Sequence, residues 1–280
     1  MSLAALLALS LVGFAVGFLA GLVGIGGGVL IVPFLYFFYG HATWSGVNLA
    51  PELHAIVASA TSLFIIVPTA IVGSLTYARS RLVAWRVAMP VALFSMVAAA
   101  ATAVVAERVP PELLKVSFGA FLMFTGVQLV RKRAVREPQP MRMHPGLMAM
   151  SGAVVGTLSA LLGVGGGLVA IPLLLYAVRL DVERVAATSL AIVAFAATAG
   201  TLSYMAAGEA GSVQLPIGSI GYVHVLAAIP MLPGAMMAAR WGAKMNQRMD
   251  AARLRIIFSI IFILLGARLV IANFGELIAR

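Results

Sequence analysis

The chain has no cysteine and few acidic residues: 9 of its 280 residues are Asp or Glu, against 19 Lys or Arg. Without cysteine it forms no disulfide, has no thiol nucleophile and cannot bind a metal through thiolates. No Asp or Glu lies in the middle of any long apolar run, which argues against a carboxylate proton relay within a membrane. The sequence therefore predicts no metal site and no cofactor.

Charge of either sign is scarce, since 10% of the residues are charged, 62% are hydrophobic and the mean hydropathy is +1.07. This composition is typical of an integral membrane protein. Most apolar runs are close to the roughly 20 residues that span a bilayer as a helix. They occupy residues 3–22, 29–39, 53–77, 87–106, 113–130, 146–162, 168–178, 185–207, 221–239 and 256–274. Because period-two alternation is absent, the predicted fold is an all-α integral membrane protein.

Two segments, residues 17–33 and 156–172, are nearly alike, and in each an apolar helix is broken by a glycine cluster. Glycine tolerates positive φ and lets backbone N–H groups approach a ligand. A helix that begins at Gly28 or Gly167 directs unpaired N–H groups and a positive dipole end at that point, which suits an anion. The predicted substrate-binding glycines are Gly24, Gly26, Gly27, Gly28, Gly163, Gly165, Gly166 and Gly167. The flanking glycines are instead interpreted as positions of close helix packing, namely Gly13, Gly17, Gly21, Gly152 and Gly156.

The repetition extends beyond the glycines: Ala-Thr-Ser-Leu occurs at residues 60–63 and again at 187–190. The chain is therefore interpreted as two membrane repeats, residues 1–135 and 145–280, joined by a cytoplasmic linker at 136–144. The repeated hydroxyl residues are further candidates for substrate binding: Thr61, Ser62, Thr188 and Ser189. Each hydroxyl could donate to an anion or bond the carbonyl one turn back in its own helix.

Basic residues gather in three connections between apolar runs, within residues 78–86, 131–145 and 240–255. Such a pattern orients a membrane protein with these connections in the cytoplasm, and it does not indicate nucleic-acid binding. Residues 3–39 and 146–178 are each too long for one straight span, and the part after the glycines is too short to cross. Each is predicted to form a helical hairpin that returns to the face it left. Each repeat then consists of this hairpin and three full spans. Because the number of full spans is odd, the second repeat enters the membrane from the opposite face, and both termini lie outside.

A few other polar residues within or near the spans are possible site residues. Gln128 and Arg268 occupy matching places in the two repeats, and Arg268 could attract an anion or extend to the membrane surface. His54 and His224 fall near the outer ends of spans, where they could take up a proton, although interfacial histidines without a role are commoner. Tyr77 and Tyr204, at span ends, are predicted to lie in interfacial aromatic belts.

The two glycine motifs, the Ala-Thr-Ser-Leu repeats and the polar central connection resemble the TauE/SafE sulfite exporter family of membrane permeases over nearly the whole chain. The resemblance implies export of small sulfur-containing or organic anions, such as sulfite, sulfoacetate or related sulfonates. Inverted repeats with broken helices are also a common way to build alternating access. The expected partners are a small anion and the lipid bilayer, with a homo-oligomer possible, and the expected location is the inner cell membrane.

Three other functional classes make different demands on the sequence. An enzyme would need a nucleophile, a metal cluster or an acid pair, and the glycine clusters lack the G-x-G-x-x-G spacing of a dinucleotide site. A structural subunit would not require paired helix breaks. An anion channel would use the same glycine and hydroxyl chemistry as a carrier, so it is kept as the alternative.

Overall fold

The computed structural model describes residues 3–105, 119–120, 123–124, 126–127, 141–207 and 215–278. They include ten longer or α-helical segments, a 3₁₀ turn at Pro51–Leu53 and a two-stranded antiparallel ribbon. The helical segments and strands are α1 (Leu3–Val23), α2 (Gly28–Gly40), α3 (Ala42–Ser45), α4 (His54–Arg79), α5 (Trp85–Val105), α6 (Pro145–Leu162), α7 (Gly167–Val178), α8 (Val182–Ala207), β1 (Ser219–Ile220), β2 (Val223–His224), α9 (Val225–Asn246) and α10 (Ala251–Ile278).

Two helices change their winding at proline residues. In α7 the last six residues, Leu173–Val178, are π-helical and follow Pro172. In α9 a 3₁₀ turn occupies Ile229–Met231, around Pro230. Proline lacks the N–H that an α-helix needs at an interior position, so the local hydrogen bonding shifts there.

Six helices in the described part of the chain are long and apolar enough to cross a membrane: α1, α4, α5, α6, α8 and α9. The predicted all-α membrane class is therefore confirmed. The helices α2 and α7, which follow the glycine clusters, are shorter apolar helices. Residues 113–130, one of the predicted spans, lie largely outside the described residues.

The core is formed by helices from different halves of the sequence. The long helices α4 and α8 pack on each other at the centre. Around them, α1 packs along α9 and α6 packs along α5, while α5 contacts α8 and α9 contacts α4. Each of these pairs joins a helix before residue 135 to one after residue 145, so the two halves are interleaved and do not lie side by side.

Glycine allows the outer pairs to approach closely. Gly13, Gly17 and Gly21 lie one turn apart on α1, and a Cβ on any of them would collide with the backbone of α9. Gly152 and Gly156 on α6 lie against the backbone of α5 in the same way. The interpretation of these flanking glycines as packing positions is confirmed.

Hydrogen bonds gather several connections at one end of the bundle. Ser80 Oγ, after α4, donates to Gln247 Oε1, after α9, at 2.7 Å. The Arg184 Nε–H, at the start of α8, donates to the Leu82 carbonyl at 3.4 Å. The described parts of two basic connections, after α4 and after α9, therefore lie together.

The connection before α6 lies beside the end of α7, because the Arg142 N–H donates to the Val178 carbonyl at 2.9 Å. Arg184 follows that end of α7 within a few residues. The chain between residues 142 and 178 therefore begins and ends at the basic end of the bundle.

Candidate functional site

The two glycine clusters form loops of the same conformation. The first glycine loop, residues 24–27, joins α1 to α2, and the second glycine loop, residues 163–166, joins α6 to α7. Positive φ occurs at three matching places in each loop: 84°, 81° and 86° at Gly24, Gly26 and Gly27, and 63°, 76° and 76° at Gly163, Gly165 and Gly166. A side chain is disfavoured at such angles, which explains why the sequence repeats glycine at these positions.

The two loops are in direct contact through the glycines that begin the following helices. A Cβ on Gly28 would lie 2.5 Å from the Gly163 carbonyl oxygen, and one on Gly167 would lie 2.6 Å from the Ile25 carbonyl carbon. The start of α2 therefore packs on the second loop and the start of α7 on the first. No side chain fits between them.

Unpaired N–H groups lie at both helix starts. The first hydrogen bonds of each helix run from its third and fourth residues back to the last loop glycine, at 3.1 and 3.3 Å in α2 and at 3.1 and 2.9 Å in α7. The N–H groups of Gly28, Val29, Gly167 and Leu168 have no partner among the residues that the structure describes. Unpaired N–H groups at a helix N-terminus attract negative charge, so the contact between the loops is the candidate site.

The two predicted serines bind the opposite loop. Ser62 Oγ on α4 donates to the Gly163 carbonyl at 2.8 Å, and Ser189 Oγ on α8 donates to the Gly24 carbonyl at 2.8 Å. Both serines are fully buried. Each serine hydroxyl thus donates to a carbonyl in the other half of the chain, and neither donates to the carbonyl one turn back in its own helix.

Each predicted threonine accepts a hydrogen bond from the residue that precedes a helix of the opposite half, α9 for Thr61 and α5 for Thr188. Thr61 Oγ1 accepts from the His224 N–H at 2.9 Å, and Thr188 Oγ1 accepts from the Ala84 N–H at 3.1 Å. Both threonines are fully buried. Of the four predicted hydroxyl residues, the two serines therefore contact the loops, and the two threonines contact the opposite half of the chain at the neighbouring positions.

One apolar side chain from each central helix contacts both loops. A Cβ on Gly26 would lie 3.0 Å from Val193 Cγ1 and 3.4 Å from Ile66 Cγ2, and one on Gly165 would lie 3.0 Å from Ile66 Cγ2 and 3.1 Å from Val193 Cγ1. Ile66 and Val193 thus cover the place where the loops meet. Sequence reasoning missed them because they resemble every other apolar residue in the spans. The only signal in the sequence is that both residues follow an Ala-Thr-Ser-Leu motif by the same number of positions.

The aromatic-belt prediction for Tyr77 and Tyr204 is wrong. Both side chains are buried, and their hydroxyls donate to the carbonyls of Gly21 at 2.8 Å and of Ala160 at 3.0 Å. These carbonyls lie near the ends of α1 and α6, where a helix leaves carbonyls without intrahelical partners. The tyrosines therefore stabilise the approach to each loop.

The remaining candidates lie away from the loops or outside the described residues. Gln128 is outside the described residues, and Arg268 is exposed on α10. His54 is buried, with Nε2 3.0 Å from the Leu49 carbonyl. His224 alone is connected to the other candidates, through its N–H on Thr61.

The His224 side chain is buried on β2, outside the membrane-spanning helices, with Nδ1 3.3 Å from Tyr39 Oη. Burial lowers the pKa of this imidazole to about 4, because desolvation disfavours the charged form. The side chain is therefore neutral near pH 7 and adds no positive charge to the site. Within the described residues, no three His, Asp or Glu side chains are grouped as a metal site would require.

Comparison with known proteins agrees with a transporter. The 'Probable membrane transporter protein MJ0441' of Methanocaldococcus jannaschii is 29% identical over 260 residues, which cover 92% of each chain. The 'Probable membrane transporter protein YunE' of Bacillus subtilis is 26% identical over 94% of this chain and 96% of its own. A 'Probable membrane transporter protein' of Haemophilus influenzae is 23% identical over 91% and 94%. No solved structure matches the chain.

The protein is accordingly a multi-pass membrane transporter and not an enzyme, and in a bacterium its location is the inner membrane. The family described as 'Sulfite exporter TauE/SafE' matches residues 9–269. Because this match covers nearly the whole chain, the protein belongs to the TauE/SafE sulfite exporter family.

Proposed function

We propose that the protein exports small sulfur-containing or organic anions, such as sulfite, sulfoacetate or related sulfonates, and binds them at the two glycine loops near the membrane midplane. The observation that carries the proposal is the contact between two helix starts whose first N–H groups have no partner in the described part of the chain. The surrounding side chains are buried and apolar, and in such surroundings a fixed dipole interacts more strongly with an anion than it does in water. The backbone donors are the first two N–H groups of each helix that follows a glycine loop, those of Gly28, Val29, Gly167 and Leu168.

The repeated hydroxyls complete the proposed site in two ways. The Thr188 hydroxyl accepts one N–H, and its own proton has no acceptor among the described residues, so it is free to donate to an anion. Ser62 and Ser189 instead donate to loop carbonyls in this conformation. When the loops separate, these serine protons become available to the substrate.

Alternating access follows from the proposed architecture of two inverted repeats, residues 1–135 and 145–280. The interleaved packing of α1 on α9 and of α6 on α5 supports a two-fold relation between the repeats. The proximity of residues 142 and 178 supports a hairpin that returns to its own face. The first loop turns back in the same way, since Gly27 lies against Val16 and Ala20 of α1.

The described conformation is closed over the proposed site. Ile66 and Val193 contact both loops and leave no space for an anion between themselves and the glycines. Transport therefore requires that at least one of these side chains moves away with its helix. Rocking of one repeat against the other would achieve this, because each central helix is bonded to the loop of the opposite half.

The membrane potential suits export of an anion. A cell interior that is negative by roughly 100 mV favours outward movement of one negative charge by about 2.3 kcal/mol. No coupling ion is then needed, which fits the lack of Asp and Glu in the middle of the apolar runs.

The direct test is efflux from liposomes that contain the purified protein. Vesicles loaded with sulfite, sulfoacetate, thiosulfate or a short carboxylate are given an inside-negative potential, and the anion released is measured against protein-free vesicles. We expect potential-dependent release of at least one sulfur oxyanion. Release no faster than from protein-free vesicles for every anion would contradict the proposal.

An anion channel of the same architecture remains the alternative, and the same vesicles distinguish the two. A carrier shows saturable flux that is accelerated by substrate on the opposite side, whereas a channel shows neither property in the same range. The closed contact between the loops and the two central helices favours the carrier, since it requires a conformational change for each passage.

A further inference from the structure

The two glycine loops differ in one polar side chain. The residue that contacts the last glycine of the first loop is Ala20, and the corresponding residue at the second loop is Ser159. A Cβ on Gly27 would lie 3.4 Å from Ala20 Cβ, and one on Gly166 would lie 3.2 Å from Ser159 Cβ. The two residues therefore occupy equivalent places, and only the second loop has a hydroxyl at this place.

The Ser159 hydroxyl is buried without a partner. The residue is fully buried, and its Oγ makes no hydrogen bond within the part of the chain that the structure describes. A serine inside a helix usually donates to the carbonyl four residues back, and Ser159 does not do so. A buried polar group without a partner destabilises a protein, so an acceptor supplied by a ligand would stabilise Ser159.

The surroundings of Ser159 favour a negatively charged ligand. Gly166, which it contacts, immediately precedes α7, and the first two N–H groups of α7 are also unpaired among the described residues. Ser159 thus packs on the residue that precedes these N–H groups, and neither they nor its hydroxyl have an acceptor in the described chain. A small oxyanion can accept from both at once, with different oxygens.

We infer that Ser159 and the first N–H groups of α7 form an oxyanion subsite at the second glycine loop, and that the first loop, with Ala20 in the equivalent place, lacks this hydroxyl. This inference rests on the proposed export of small anions and specifies its substrate class. The preferred ligand has at least two acceptor oxygens on one small group, as sulfite and sulfonates do. A halide, which offers a single acceptor atom, gains less from the additional hydroxyl.

The test compares two variants that remove the same kind of group. Ser159→Ala removes the hydroxyl beside the loop. Ser151→Ala is the matched control, since Ser151 is also buried on α6, its Oγ also lacks a partner among the described residues, and it lies two turns before Ser159. Because neither substitution breaks a hydrogen bond, both proteins should melt at or slightly above the temperature of the wild type.

Binding of sodium sulfite and of sodium chloride to the detergent-purified proteins is measured by calorimetry at constant ionic strength. Loss of a hydrogen bond to a charged ligand should weaken sulfite binding by about tenfold or more in Ser159→Ala. Chloride binding should change less, and Ser151→Ala should bind sulfite within twofold of the wild type. Sulfite affinity of Ser159→Ala within twofold of the wild type, or an equal loss in Ser151→Ala, would overturn the inference.

Sulfite efflux by the wild type from liposomes separates this failure from that of the proposed function. If the wild type exports sulfite and Ser159→Ala binds it normally, the subsite is wrong and the export proposal stands. If the wild type neither binds nor moves any oxyanion, both fall.

Discussion

Glycine has two different structural roles at neighbouring positions of this chain, and the atoms around each glycine show which role it has. Gly27 and Gly166 have positive φ and lie against a valine side chain of the preceding helix. Gly17 and Gly156 lie inside helices, against the backbone of a partner helix. A methyl group therefore strains a loop in the first pair, whereas in the second pair it forces two helices apart.

Gly27→Ala and Gly166→Ala should lower anion efflux per folded molecule, because a Cβ at positive φ costs on the order of 1 kcal/mol or more and shifts the donor groups. Gly17→Ala and Gly156→Ala should instead lower the melting temperature more than the normalised efflux. Gly40→Ala is the control, since Gly40 is exposed and no atom lies within 4 Å of an added Cβ. Equal normalised efflux in all four test variants would show that the loops only serve packing.

The threonines offer a second comparison at the level of single atoms. Thr61→Val together with Thr188→Val keeps the shape of both side chains but leaves two buried N–H groups without acceptors, which costs about 1–3 kcal/mol each. We expect a lower melting temperature and transport weakened by about tenfold or more. Thr→Ser at the same positions restores both, because the acceptor oxygen returns. Unchanged anion affinity in the double valine variant would confine the threonines to a structural role.

Among the elements, α4 and α8 connect the halves of the protein. Each central helix donates a hydrogen bond from a serine to the loop of the opposite half. About four turns later, a tyrosine on the same central helix donates to a carbonyl near the end of α1 or α6, in its own half. When one repeat rocks against the other, its central helix therefore keeps the tyrosine bond within its own half and breaks the serine bond to the opposite loop. This change of contacts is what a two-state transporter needs if its site is to open on one side only.

Ser62→Ala and Ser189→Ala should each destabilise the protein by about 1–2 kcal/mol, because each leaves a buried loop carbonyl without its donor. Thr69→Val on α4 is the matched control, since its hydroxyl donates to the Ile65 carbonyl within the same helix at 2.8 Å. That carbonyl keeps its helical N–H partner, so the loss should be smaller. Chemical or thermal unfolding in detergent gives the comparison, and a larger loss for Thr69→Val would argue against the role of the serines at the loops.

At the scale of the whole molecule, the basic connections and the hydrogen bonds that join them lie at the same end of the helix bundle. The connections after α4 and after α9 are joined there, and the start of α6 lies beside the end of α7. The exposed segment around Ile217, which is 91% exposed, belongs to the connection between α8 and α9. If the basic end is cytoplasmic, that segment faces outward.

Cysteine labelling tests this orientation without interference, because the chain has no native cysteine. Ile217→Cys and Gly40→Cys should react with a membrane-impermeant reagent added outside the cell. Arg248→Cys, exposed after α9, should react only after permeabilisation. Asn246, at the same end, is unsuitable because it is buried and its Nδ2 donates to the Leu22 carbonyl at 2.6 Å. External labelling at position 248 would exclude the inverted arrangement.

Sequence alone was sufficient for the features that depend on local chemistry. Long apolar runs identify membrane helices because the bilayer thickness fixes their length. The loop glycines at positions such as Gly27 and Gly166 are recognisable because only glycine adopts positive φ without strain. The duplicated Thr-Ser pairs were found as candidates because polar groups are costly in an apolar helix and rarely repeat there by chance.

Tertiary structure decided everything that depends on which helix packs against which. The serines could have bonded their own helix, and only the interleaving of α4 and α8 places each beside the opposite loop. Tyr77 and Tyr204 sit at span ends in the sequence, yet the core covers those ends and buries them. The partnerless hydroxyl of Ser159 is likewise invisible in sequence, because a hydrogen bond that is not made is defined by the neighbours that the fold supplies.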